Sequence, residues 1–99
     1  MQRRTDSPDF QKLYAGTFPD VLGVDITASE SGLVEGTLEV GRQHLAPNGF
    51  MHAGVVVGFA DTLCGLGSAD NLPENAVGFT TIELKANFMG TARGGSIKG

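Results

Sequence analysis

Hydrophobic and polar positions change period several times along the chain, and each period predicts an element. Phe10, Leu13 and Tyr14 recur at helical spacing behind Ser7, a capping residue, and Pro8 at the first helical position, so 7–16 reads as a short amphipathic helix. Residues 18–22 add a further turn before Gly23. Period two then takes over. Leu22, Val24, Ile26 and Ala28 alternate with Gly23, Asp25 and Thr27, and after a Ser-Gly turn at 29–32 the apolar members Val34, Leu38 and Val40, with Gly36 among them, alternate with Glu35, Thr37 and Glu39. These two runs predict an antiparallel β-hairpin.

A loop at 41–51 holds Pro47, Asn48 and Gly49, each a turn former for its own backbone reason. The stretch HAGVVVGFADTLCGLGSA at 52–69 then returns to helical period. At about 100° per residue, Val56, Phe59, Ala60 and Leu63 fall on one side and Gly54, Gly58, Asp61 and Gly65 on the other. Glycine costs roughly 1 kcal/mol against alanine inside a helix. Three of them beside Asp61 therefore imply that a ligand or a second backbone lies against that stripe, with Asp61 as its only ionisable group. Asn71, Leu72 and Pro73 end the helix. Residues 76–89 form the longest strand candidate: Thr80, Ile82, Leu84, Ala86 and Phe88 alternate with Thr81, Glu83, Lys85 and Asn87. After a glycine-rich turn at 90–95, residues 96–99 look like a strand just begun.

This order argues for one α+β domain in which an antiparallel sheet covers an apolar helix. Its sheet would stop at the first residues of a fourth strand and leave an open edge, which implies pairing with a copy of the chain or native sequence beyond Gly99. Composition narrows the class. With 99 residues the chain makes a single domain that buries about 60 to 65% of its unfolded surface. A net charge of -4 argues against nucleic acid as a partner. No apolar run is long enough to span a bilayer, and the polar start MQRRTDSPDF is unlike a secretory signal, so no membrane role and a cytoplasmic location are expected. Cys64 is the only cysteine and fits a reducing compartment; it sits beside the packing face and reads as a small buried hydrophobe. Two histidines eight residues apart make no zinc spacing, so no metal is expected.

The segment HLAPNGFMHAGVVVGFADTLCG at 44–65, followed by TIELKANFMGTARGG, resembles the hot-dog-fold thioesterases of the phenylacetate-degradation and aryl-CoA type. The resemblance covers 22–95. It implies a curved antiparallel sheet wrapped around one long helix, a homodimer or homotetramer, and a C-terminus short of two strands. His44, Gly49, His52 and Gly54 match the family pattern, and Asp61, nine residues after His52, stands where the family has its catalytic Asp or Glu. Two positions depart from the pattern. Ala46 replaces a polar amide for which Asn48 is the candidate substitute, and Ala53 replaces a glycine whose backbone N–H is what the family uses.

Carried over to thioester hydrolysis, the resemblance makes Asp61 the nucleophile or general base and the N–H groups of Ala53 and Gly54 the donors that polarise the carbonyl. His52 has two roles open to it, holding the loop or taking part directly. Gly65 belongs to the substrate-facing stripe, and Arg93 is a candidate for a phosphate of coenzyme A. The substrate implied is an aryl or medium-chain acyl-CoA, with no cofactor beyond the coenzyme A it carries. A rival reading is a non-catalytic module that binds acyl-CoA or acyl-carrier protein, or that serves dimerisation alone; a dehydratase of the same fold is a third. Blander readings stand beside these. His44 reads as a loop residue, Gly49 as a turn, and Glu83 with Lys85 as a solvated strand face.

Overall fold

The structure is a computed structural model that describes residues 9–30 and 32–99. Ser7, Pro8 and the tip of the predicted hairpin turn at Ser31 lie outside the described residues. The elements run α1 (Asp9–Tyr14), α2 (Phe18–Leu22), β1 (Val24–Glu30), β2 (Leu33–Glu39), a single 3-10 turn (Arg42–His44), α3 (Ala53–Asp70) and β3 (Ser96–Lys98). Among the described residues, no helix is long and apolar enough to cross a membrane.

The predicted hairpin is present: β1 and β2 pair antiparallel, with Val24 opposite Leu38 and Ile26 opposite Gly36. A bulge between Ile26 and Ala28 then shifts the register, so that Ser29 stands opposite Val34. Cross-strand partners share a face. The extra residue therefore puts Ser29 on the side where simple alternation continues with Ala28, and both end up buried. β3 adds to the far side of β2 through Leu38 and Ile97, as the C-terminal residues predicted, and the sheet order is β1-β2-β3.

Helix α3 crosses this sheet. Its buried stripe is Val55, Phe59, Leu63 and Leu66, which join Leu22 and Leu38 in the core. The packing face is thus rotated from the one expected, and Val56 and Ala60 sit at its border. The crossing depends on Gly36. A Cβ there would stand 2.8 Å from Leu63 Cδ2, 3.0 Å from the Asp25 carbonyl and 3.4 Å from Phe59 Cε1. Only a bare backbone lets the helix come this close. Cys64 is exposed rather than buried, because it projects on the side of α3 that the three-stranded sheet leaves uncovered.

Residues 76–89 form no strand. Alternation gives a segment two faces but does not give it a neighbour, and a strand persists only where its N–H and C=O groups meet a ladder. Here the segment docks on α3 through Phe79 and Thr81 while Val77, Ile82 and Met89 stay exposed. Glu83 and Lys85 are solvated as expected, paired with each other at 3.2 Å.

Two substitutions test this packing. Gly36→Ala is expected to lower unfolding free energy by about 1–3 kcal/mol, as overpacking does. Ser29 is fully buried and its Oγ has no hydrogen-bond partner among the described residues. Ser29→Ala, which removes that unpaired hydroxyl, is expected to raise stability by about 1 kcal/mol. Denaturant midpoints at unchanged m-value report both.

Candidate functional site

Helix α3 begins at His52, whose extended backbone (φ -65°, ψ 135°) makes it the N-cap. Its Nδ1 accepts the Gly54 N–H at 2.8 Å. One of the two donors expected to polarise a carbonyl is therefore already taken by the side chain beside it. The Ala53 N–H has no partner among the described residues, as the first turn of a helix allows. Among the described residues this N–H is a free donor at the helix start.

The loop before the helix is held from both ends. Gly49 turns at φ +87°, Ala46 N–H donates to the Phe50 carbonyl at 2.7 Å, and His52 N–H donates to the His44 carbonyl at 2.8 Å. Asn48 Oδ1 accepts the Phe50 N–H at 3.1 Å, which leaves its amide NH₂ unpaired among the described residues. Asn48, His52 and Ala53 line one cavity of about 380 Å³ together with Phe50, Phe88 and Thr91. Arg93 lies with Cζ 4.3 Å from the Phe50 ring centroid, a cation–π contact at the side of this loop.

His44 is no loose loop residue. It is 3% exposed, its Nδ1 accepts the Gly41 N–H at 2.8 Å, and its Nε2 lies 2.6 Å from the Leu22 carbonyl. Because the Gly41 N–H must donate, Nδ1 is bare and the proton sits on Nε2, which donates to Leu22. A neutral imidazole so fixed ties the end of α2 to the loop that carries Asn48.

Asp61 faces a second, larger groove of about 710 Å³. The carboxylate is partly buried, and its Oδ1 accepts the Thr81 hydroxyl at 2.7 Å. The glycine stripe is explained in good part by the chain itself. A Cβ on Gly58 would stand 2.8 Å from both Leu22 Cδ1 and Phe18 Cε2, so this glycine admits α2, while Gly65 lies under the Phe79 ring. Between these two contacts Asp61 opens into space walled by Tyr14, Phe79 and Leu84.

Asp61, Gly54 and Gly65 therefore share one groove, and Ala53, His52 and Asn48 share another. Eight residues of helix separate Ala53 from Asp61, about 12 Å along the axis. Thr81 is the site residue that sequence reasoning missed. Alternation grouped it with Glu83 and Lys85 on a wet face, and nothing in the local pattern set it apart from them.

The sequence model of the Thioesterase superfamily matches residues 48–97, half of the chain, which takes in Asn48, His52, Ala53, Asp61 and Thr81. The chain belongs to the thioesterase superfamily. Among solved structures it is similar to a thioesterase from Haemophilus influenzae (26% identity over 90% of this chain, TM-score 0.79) and to a mutant of a thioesterase enzyme from Staphylococcus aureus (28% over 81%, TM-score 0.74). A mutant thioesterase from Pseudomonas aeruginosa shares the fold, with 21% identity over 91% and a TM-score of 0.82. The chain spans 62%, 66% and 65% of the length of these three, in that order. A comparison with curated proteins finds no match. Like these thioesterases the chain is α+β, with an antiparallel sheet against one long helix, the hot-dog arrangement that the sequence resemblance implied.

His44→Ala would orphan the Gly41 N–H and the Leu22 carbonyl together. A loss of about 2–6 kcal/mol in unfolding free energy is expected, from about 1–3 kcal/mol for each stranded group. His44→Gln, which offers one acceptor and one donor, is expected to recover part of it in the same denaturation measurement.

Proposed function

We propose that the protein hydrolyses an acyl-CoA thioester of the aryl or medium-chain kind, as the phenylacetate-degradation and aryl-CoA thioesterases do. The observation that carries this reading is Asp61 in an apolar groove, with one carboxylate oxygen held by Thr81 and the other without a partner among the described residues. A carboxylate fixed by one oxygen presents the other in a defined direction. That oxygen either attacks the acyl carbon or takes a proton from a water that does so. In the first case a mixed anhydride forms, the C–S bond breaks, and water then cleaves the anhydride. In the second, hydroxide adds directly, the C–S bond breaks, and the proton held by Asp61 passes to the departing thiolate.

Negative charge collects on the thioester oxygen in either route. The Ala53 N–H is free to meet it at the positive end of α3, and the unpaired amide of Asn48 is the natural second donor. Gly54 contributes only when its N–H is released from His52. His52 accordingly acts by holding the helix start, and Gly65 by keeping the acyl side of the groove open. Arg93, steadied on Phe50, meets a phosphate of coenzyme A.

The carboxylate and the oxyanion donors open into different grooves of one subunit, which favours a composite site. A homodimer that sets Asp61 against Ala53 of the partner subunit completes it, and two such dimers make the homotetramer that the resemblance implies. No metal or redox cofactor enters the scheme, and neither nucleic acid nor membrane is a partner. The enzyme would work in the cytoplasm. One observation favours the alternative of a non-catalytic acyl-CoA or acyl-carrier-protein binding module, namely the capped Gly54 N–H.

Thiol release from a panel of acyl-CoA esters separates the two. Asp61→Asn is expected to lower kcat by about 10²–10⁴-fold, the range for a positioned base; equal rates would remove Asp61 from the reaction. Binding of the esters by the unaltered protein without any turnover would favour the module. Ala53→Pro is the sharper probe. Proline is accepted at the first helical position and His52 already has the extended backbone that must precede it, so the change deletes one N–H and little else. A fall in kcat of about 10²–10³-fold is expected, as for loss of one oxyanion donor.

A further inference from the structure

One aromatic ring, that of Phe79, overhangs the groove beside Asp61. Phe79 and Thr81 are two residues apart on the segment that crosses α3, and both reach the helix. Thr81 meets the carboxylate, while the Phe79 ring lies over Gly65, where an added Cβ would stand 3.2 Å from Cζ and 3.6 Å from Cε2. Gly65 follows Asp61 by four residues, so the ring stands about 6 Å along the helix axis from the carboxylate, at 1.5 Å per residue. Beyond the ring the groove continues past Leu66 to Ala69.

We infer that Phe79, seated on Gly65, sets the length of acyl group the site accepts. The inference rests on the thioesterase reading above. With the acyl carbon held at Asp61, the polar arm of coenzyme A stays at the solvent side and the acyl group takes the apolar wall toward Phe79. Carbon–carbon bonds of about 1.5 Å advance an extended chain by about 1.3 Å per atom, so about 6 Å holds four or five carbons or one aromatic ring. An aryl group of this size meets the Phe79 ring in an edge-to-face or offset contact. A longer straight chain must displace the ring to reach the space beside Leu66 and Ala69. The bare Gly65 is what lets Phe79 settle low enough to block the way.

The test is kcat/KM over straight-chain acyl-CoA esters from four to twelve carbons, with benzoyl- and phenylacetyl-CoA, for the unaltered protein, Phe79→Ala and Phe79→Trp. The unaltered protein is expected to favour the aryl esters and, among straight chains, the shortest, which narrows the aryl or medium-chain reading above to its aryl side. Phe79→Ala should raise the decanoyl-to-butyryl ratio by about tenfold or more, in line with the 10–200-fold that one methylene is worth in a closed pocket. Phe79→Trp should lower the same ratio. The readout is the ratio between esters within each variant, with the hydrogen bond from Thr81 to Asp61 left in place. If Phe79→Ala does not fold, Phe79→Trp decides alone. One length profile shared by an active unaltered protein and its folded variants overturns the assignment of Phe79 while leaving the thioesterase reading intact. No thiol release from any ester by the unaltered protein defeats that reading and this inference together.

Discussion

The contact on which the rest depends is the crossing of α3 over β2 at Gly36. Phe59 and Leu63 come down on that glycine from two successive turns of the helix, close enough that a single methyl group would collide with a side chain and with the Asp25 carbonyl. Asp61 lies between them in the chain, about 200° round the helix from each. Fixing Phe59 and Leu63 on the sheet therefore fixes the direction of Asp61, away from the core and into the groove walled by α1, α2 and the segment that follows the helix. The aim of the carboxylate is a consequence of packing on the opposite side of the same helix.

Other features refine that aim. Gly58 admits α2, whose Leu22 enters the core and whose last carbonyl is held by His44. The same histidine anchors the loop that carries Asn48, so the wall of the Asp61 groove and the turn beside Ala53 are tied through one imidazole. The two grooves are separate in space yet mechanically joined.

Much of this was legible in the residues themselves. Period-two runs marked the hairpin, and the helical run with its glycines marked α3. Three things were not legible, each for a physical reason. A one-residue bulge in β1 moved Ser29 to the helix-facing side, and no periodicity announces a bulge. Residues 76–89 carry a clean alternation, but strand formation needs a neighbouring ladder, which pattern alone does not supply. The roles of His44 and Thr81 arise from partners 22 and 20 residues away, Leu22 and Asp61, contacts that local spacing does not encode. The stripe of glycines was read as the seat of a ligand or a second backbone, whereas its nearest neighbours are side chains of the same chain: Leu22 and Phe18 at Gly58 and Phe79 at Gly65.

The Ala53 N–H, unpaired among the described residues, has a consequence for how this chain can vary. A hydrogen-bond donor on the main chain is the same whichever side chain is attached to its Cα, provided the helix still begins at that point. If that donor serves the reaction, the side chain at position 53 can change without touching it. An indispensable contact at this residue would leave almost no imprint on its identity, and its importance would show instead at His52, the neighbour that decides where the helix starts.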